Sequence, residues 1–284
     1  MNLDPADDTQ SAATSQRDIL GTQIREGLSE LNRPSDGLFL SALSAGLDIG
    51  FGPMLMAVTL TVAEFSFSTP LTEELLMANA YAIGFVFVVL GRSELFTEHT
   101  TLAVLPVLDR QASVGQLLRL WGVVYAGNLV GCVLFAGAIV LVTPAMGVAE
   151  SRAFVEIATN LTDHDWYVIL AAGVFAGWLM GLLSWLVAGA QETVARLAIV
   201  WLIATAIGFA HLPHSIAGSV EVLAGAFVSP EIGALDFLRF LAAATVGNAI
   251  GGTVFVGLLK YGHVARSGPE PEEFETDVDD GASE

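Results

Sequence analysis

Four stretches of this chain, residues 37–63, 120–146, 166–190 and 240–259, run almost without charge. A helix needs roughly 20 apolar residues to cross the ~30 Å of hydrocarbon in a bilayer, and each stretch is about that long or longer. A water-soluble domain would have to bury all four at once. With 54% hydrophobic and only 14% charged residues, the chain has too little polar surface to cover them. The expectation is an all-α membrane protein.

Two further apolar segments are interrupted. Residues 75–91 run into Gly91-Arg92-Ser93-Glu94-Leu95-Phe96-Thr97-Glu98-His99 and resume at 102–108, and residues 197–210 run into His211-Leu212-Pro213-His214 and resume at 215–228. Six crossings result, with the second and the fifth broken. In each half of three crossings the broken segment comes second. Gly127-Asn128-Leu129-Val130-Gly131 in the third crossing is echoed by Gly247-Asn248-Ala249-Ile250-Gly251-Gly252 in the sixth. Three crossings per half is an odd number, so the halves enter the bilayer from opposite sides. That is an inverted 3+3 repeat, of the kind that places its site where the broken helices meet.

Arg17, Arg25 and Arg33 precede the first crossing, Arg110 and Arg119 the third, and Arg196 the fifth; Lys260 and Arg266 follow the sixth, and Arg152 lies on the other side. By the positive-inside rule this is a multi-pass protein of the cell membrane with both termini cytoplasmic. Residues 1–36 form an N-terminal arm, where Ile19, Leu20, Ile24, Leu28 and Leu31 at near-helical spacing predict an amphipathic helix under the membrane. The arm lacks the basic-then-apolar pattern of a cleaved signal, so no processing is expected. Residues 37–262 make the transmembrane domain, and 263–284, crowded with acids from Glu270 to Glu284, read as a disordered cytoplasmic tail. The net charge of −19, with Lys260 the sole lysine among 11 basic residues, argues against nucleic acid as a partner and suits a halophilic archaeon. Cys132 stands alone, which excludes a disulfide framework and a Cys-based metal site.

A helix break exposed to lipid would strand backbone polar groups at several kcal/mol each, so both breaks are candidate pore walls. His214 is ionisable at membrane depth, where such groups usually face a cavity, and imidazole exchanges a proton near neutral pH. Thr97 offers a neutral hydroxyl to a passing solute or to an imidazole; its plain alternative is a helix cap. Leu95 and Phe96 in one break and Ile207 before the other could form apolar constrictions, or simple packing. Asn128 and Asn248 carry amides suited to bonding the freed backbone of the broken helices, a supporting role. Arg92 is expected to pair with Glu94 or Asp48. The sequence holds no phosphate loop, no H-E-x-x-H and no nucleophile elbow, so no enzyme activity, cofactor, metal or ATP coupling is expected.

Residues 84–101 and Tyr125-Ala126-Gly127-Asn128-Leu129-Val130-Gly131 resemble the second and third helices of formate/nitrite transporters, and His214-Ser215-Ile216-Ala217 and Gly247-Asn248-Ala249-Ile250-Gly251-Gly252 resemble the family's later motifs. The resemblance spans about residues 37–262, with the four motifs in the family's order and spacing. It implies an aquaporin-like protomer of six helices with an Ω-type loop in the second, assembled as a homopentamer in which each protomer carries its own pore. The family's central histidine falls on His214 and its loop threonine on Thr97. Leu95 and Phe96 resemble one constriction, and Ile207 replaces an aromatic at the other. The family passes formate, nitrite, hydrosulfide or lactate, often with a proton. The implied function is therefore a channel or transporter for small monovalent anions, passive or proton-linked.

Two departures bear on the solute. The lysine that the family carries just before the fourth helix has no counterpart, since residues 153–190 contain no lysine or arginine. Glu94, Glu98 and Glu221 stand where the family is mostly neutral. At about 5 Å and an effective dielectric near 20, an unpaired carboxylate opposes a monovalent anion by about 3 kcal/mol. The alternatives are the same fold conducting a cation or a neutral small solute through a pore redefined by these acids, or a non-conducting scaffold.

Overall fold

The computed structural model describes residues 14–63 and 69–266. Asp4, Asp7, Asp8 and the acids from Glu270 onward lie outside the described residues, and so does most of the expected tail. Among the described residues every regular element is a helix. Five helical stretches are long and apolar enough to cross a membrane, namely Ser35–Ala63, Pro70–Gly91, Val114–Ala145, Trp166–Gly189 and Ala234–Arg266, and two shorter apolar helices, Thr193–Phe209 and Ala217–Val228, form the remaining crossing.

Helix α1, Gln16–Asn32, begins at Ser15, whose hydroxyl oxygen accepts the Asp18 N–H, and buries Leu20, Gln23, Gly27 and Leu31. The first crossing is α2, Ser35–Asp48, followed by α3, Phe51–Ala63. It is not the uninterrupted helix that its hydropathy predicts. Pro53 has no N–H to give the Ile49 carbonyl and its ring crowds that oxygen, so the helix breaks at Ile49 and Gly50.

The second crossing is α4, Pro70–Gly91, then α5, Phe96–Leu102, and the single turn α6, Leu105–Leu108. The third is α7, Val114–Ala145, opened by a capping box between Ser113 and Gln116. Helix α8, Ser151–Thr162, was not expected, because it is too short to span a bilayer. Its signal was nonetheless present: Ala153, Phe154, Ile157, Ala158 and Leu161 repeat at helical spacing and are buried.

The fourth crossing is α9, Trp166–Gly189; the fifth is α10, Thr193–Phe209, with α11, Ala217–Val228. The sixth is α12, Ala234–Ile250, which passes through a π-helical stretch, Gly251–Leu258, into α13, Leu259–Arg266. The last helix thus runs past residue 262. Val264 is buried there, and the Lys260 ammonium sits 5.4 Å from the centre of the Trp185 ring.

The inverted repeat is visible in the packing. Helix α2 lies on α7, and α9 lies on α12. Each pair is held close by glycines on both helices: among them, a Cβ on Gly46 would strike the backbone oxygen of Asn128, and a Cβ on Gly177 would strike the backbone oxygen of Asn248. Large apolar side chains such as Leu40, Leu141, Leu202 and Leu235 are exposed on the outside, as a lipid-facing or subunit-facing surface requires.

Candidate functional site

Both broken helices stop in the same way. Helix α4 ends on Arg92 (φ 56°) and α10 on His211 (φ 49°), two residues in the left-handed region that usually favours glycine. Ser93 then donates its N–H to the Val88 carbonyl, and Leu212 donates to the Ile207 carbonyl, each at 3.1 Å. Three residues beyond each left-handed turn stands a candidate pore residue, Leu95 in one break and His214 in the other.

Backbone groups freed at the breaks are met by the two asparagines. Asn128 accepts the Phe96 N–H at 2.9 Å and donates to the carbonyls of Glu94 and Ala42, each at 2.8 Å. Asn248 accepts the Ser215 N–H at 2.8 Å and donates to the carbonyls of Pro213 and Gly173, each at 2.9 Å. The two sets correspond group for group across the repeat. Helix α5 is also tied to the sixth crossing: the Thr101 hydroxyl donates to the Gly252 carbonyl at 2.9 Å, and the Thr253 hydroxyl to the Thr100 carbonyl at 2.8 Å.

At the centre, Thr97 Oγ1 lies 2.8 Å from His214 Nε2. The other ring nitrogen, Nδ1, accepts backbone N–H groups from Ile216 at 3.3 Å and Ala217 at 3.1 Å, at the start of α11. Two donors directed at Nδ1 leave no place for a proton there, so the ring is the neutral tautomer whose Nε2–H donates to Thr97. The Thr97 hydroxyl proton is then free to be donated onward. Phe85 meets the His214 ring edge-on, with ring centres 5.0 Å apart. Thr97 and His214 are both buried.

Two cavities border the two helix breaks, one at each. One, of about 360 Å³, is bordered by Gln23 and Glu30 of α1, by Glu94, Glu98 and His99 of the first break, and by Arg196 of α10. The other, of about 20 Å³, is bordered by His214, Ile207, Glu221, Tyr81 and His211. Leu95 and Phe96 are buried and border neither; the Phe96 ring packs edge-on to Tyr125 and Trp121 of α7, at 4.8 and 5.8 Å. Ile207, His214 and Glu221 are therefore grouped on one side, and Glu94 and Glu98 on the other.

Glu94 does not pair with Arg92. Its carboxylate is held between Arg33 and His99, while Asp48 accepts the hydroxyls of Ser44 and Ser93 at 3.1 and 3.3 Å. Arg33 also binds Glu30 at 2.7 Å. Burial first, and then the charge of Glu94, hold the Glu30 carboxyl above its ordinary range. His99 was not singled out from the sequence, although it stands in the break beside Glu98; only the folded α5 turns it back onto Glu94.

A sequence model of the formate/nitrite transporter family matches residues 17–262. The chain is 32% identical over 245 residues to the inner membrane protein YfdC of Escherichia coli K12, covering 84% of this chain and 76% of that protein. Its fold is similar to a solved FNT family ion channel, with a TM-score of 0.74 and 25% identity over 89% of this chain and 98% of that one. It is likewise similar to a pentameric formate channel with formate bound, with a TM-score of 0.68 and 24% identity over 82% of this chain and 98% of that one.

Proposed function

Because the chain belongs to the formate/nitrite transporter family, we propose that it conducts a small monovalent anion of the formate and nitrite class, as a channel or proton-linked transporter. The family is one of transporters, so the chain is not an enzyme. The observation that carries the reading is the Thr97–His214 pair, with Nδ1 occupied by backbone donors. It leaves a buried hydroxyl proton to meet an anion without placing a fixed positive charge that would trap it. His214 orients Thr97, and Leu95, Phe96 and Ile207 exclude water on either side. Asn128 and Asn248 hold the breaks open against one another.

The protomer assembles as a homopentamer in the cell membrane, in keeping with its likeness to the pentameric formate channel. Arg17, Arg25, Arg33, Arg110, Arg119 and Arg196 fall in or beside α1 and the links before the third and fifth crossings, which by the positive-inside rule supports a cytoplasmic location for both termini. There α1 of the N-terminal arm, residues 1–36, borders the larger cavity, residues 37–262 form the channel, and 263–284 are an acidic tail. Pairing of Glu94 with Arg33 and His99 offsets one of the acids that would repel an anion. Glu98, on the same cavity, keeps a cation pore as the competing reading.

The test is radiolabelled formate uptake beside rubidium uptake in sealed liposomes holding the purified protein, with empty liposomes as the baseline, over about pH 5 to 8, the span in which imidazole titrates. Saturable formate uptake that rises with acidity, with rubidium at baseline, is the expected result. Rubidium uptake without formate uptake would replace the anion reading with the cation one.

A further inference from the structure

His214 has no nitrogen free to shuttle a proton, since Nδ1 holds two backbone N–H groups and Nε2 is engaged by Thr97. If the anion crosses with a proton, another group must carry it. Glu221 lies in α11, seven residues after His214 in a helix that begins at Ala217, and only 6% of its surface is exposed. Among the described residues its carboxyl has no hydrogen-bond or ion-pair partner. An unpaired carboxyl at membrane depth is costly, and such groups usually mark a proton or ion path. A leucine would pack there without that cost.

Glu221 and His214 border the same cavity of about 20 Å³. That is room for about one water molecule. The cavity also reaches His211, whose Nε2 lies 2.9 Å from Glu74 at an open end where the two side chains are 41% and 43% exposed. Helices α3 and α8, packed on α11, bring Met56, Ile157, Asn160 and Leu161 to the cavity. The charged residues of the packed helices, Arg119 on α7, Arg152 and Glu156 on α8, and Asp236 and Arg239 on α12, do not border it. The titratable groups that face Glu221 there are Tyr81, His211 and His214, and no lysine or arginine joins them.

We propose that Glu221 is the proton-loading group of this pore, fed from the Glu74–His211 pair and delivering to the anion at Thr97. The step is a transfer through the intervening water: the O–H bond of the Glu221 carboxyl breaks, an O–H bond forms on an oxygen of the solute, and the remaining carboxylate is reloaded from the open end. The solute leaves as its neutral acid. This deepens the anion reading and rests on it.

The experiment compares wild type, Glu221→Gln and Glu221→Asp in liposomes loaded with a pH dye, measuring labelled formate and proton entry together over empty-liposome controls. Wild type is expected to admit one proton per formate. Glu221→Gln is expected to elute as the same oligomer and to lose about a hundredfold of the acid-stimulated rate, the lower end of what a positioned proton donor contributes. Glu221→Asp should restore part of it. A wild-type pH profile in Glu221→Gln would overturn the proposal and leave the anion reading standing. If Glu221→Gln fails to assemble, wild type decides: formate entry without protons overturns the proposal. Absence of any formate flux in wild type would overturn both readings.

Discussion

Replacing Asn248 with leucine, close to it in size, is expected to destabilise the protomer by about 2–4 kcal/mol and to abolish transport. The side chain makes three hydrogen bonds to backbone, from Ser215 and to Pro213 and Gly173. Interhelical hydrogen bonds in membranes are individually modest, about 0.6 kcal/mol on average in measured cases. The larger cost comes from asymmetry, because leucine removes one partner and leaves the backbone groups buried and unpaired, at about 1–3 kcal/mol for each that water cannot reach. Asn248→Asp should do no better, since it keeps the acceptor for Ser215 but places an anion against two carbonyls. Asn128→Leu should match Asn248→Leu, because it serves Phe96, Glu94 and Ala42 in the corresponding way. Thermal unfolding of the detergent-solubilised protein checks both. If either variant unfolds at the wild-type temperature, that asparagine does not hold its break.

The same correspondence explains how the pore is assembled from two unlike halves. The left-handed turns at Arg92 and His211, the asparagines and the close-approach glycines repeat, so the backbone of both breaks is fixed by one design. Only the side chains presented differ. The first half offers a hydroxyl at Thr97 and the second an imidazole at His214, and the fold brings them to 2.8 Å across a separation of 117 residues.

That separation marks the limit of what the sequence makes legible. Hydropathy and its interruptions give the six crossings and the two breaks, because lipid punishes a stray polar group over a whole segment. The kink at Pro53 is a matter of one missing N–H, which leaves no trace in hydropathy. The pairing of Glu94 is hidden for another reason. Arg92 is its neighbour in sequence, yet the left-handed turn carries Arg92 to the surface and leaves Glu94 to Arg33, which comes from the link between α1 and α2. The state of His214 is equally invisible in the sequence. Its tautomer is set by the N–H groups of Ile216 and Ala217, and backbone donors carry no sequence signature.

Thr97→Val keeps the shape of the side chain and removes its hydroxyl, and it is expected to cut formate flux by about ten- to hundredfold, the equivalent of one buried hydrogen bond worth about 1–3 kcal/mol. Thr97→Ser, which keeps the hydroxyl, should retain most of the flux. The informative comparison adds His214→Ala. If the imidazole acts only by holding the Thr97 hydroxyl in place, then once that hydroxyl is gone His214→Ala has nothing further to remove, and the double variant should transport no worse than Thr97→Val alone. Losses that add would mean that His214 meets the solute itself, which requires the ring to release either Thr97 or the backbone donors on Nδ1. The pH profile separates the two cases independently. A ring that only orients Thr97 leaves the acid dependence of the residual flux in His214→Ala as it is in wild type, whereas a ring that exchanges protons takes that dependence with it.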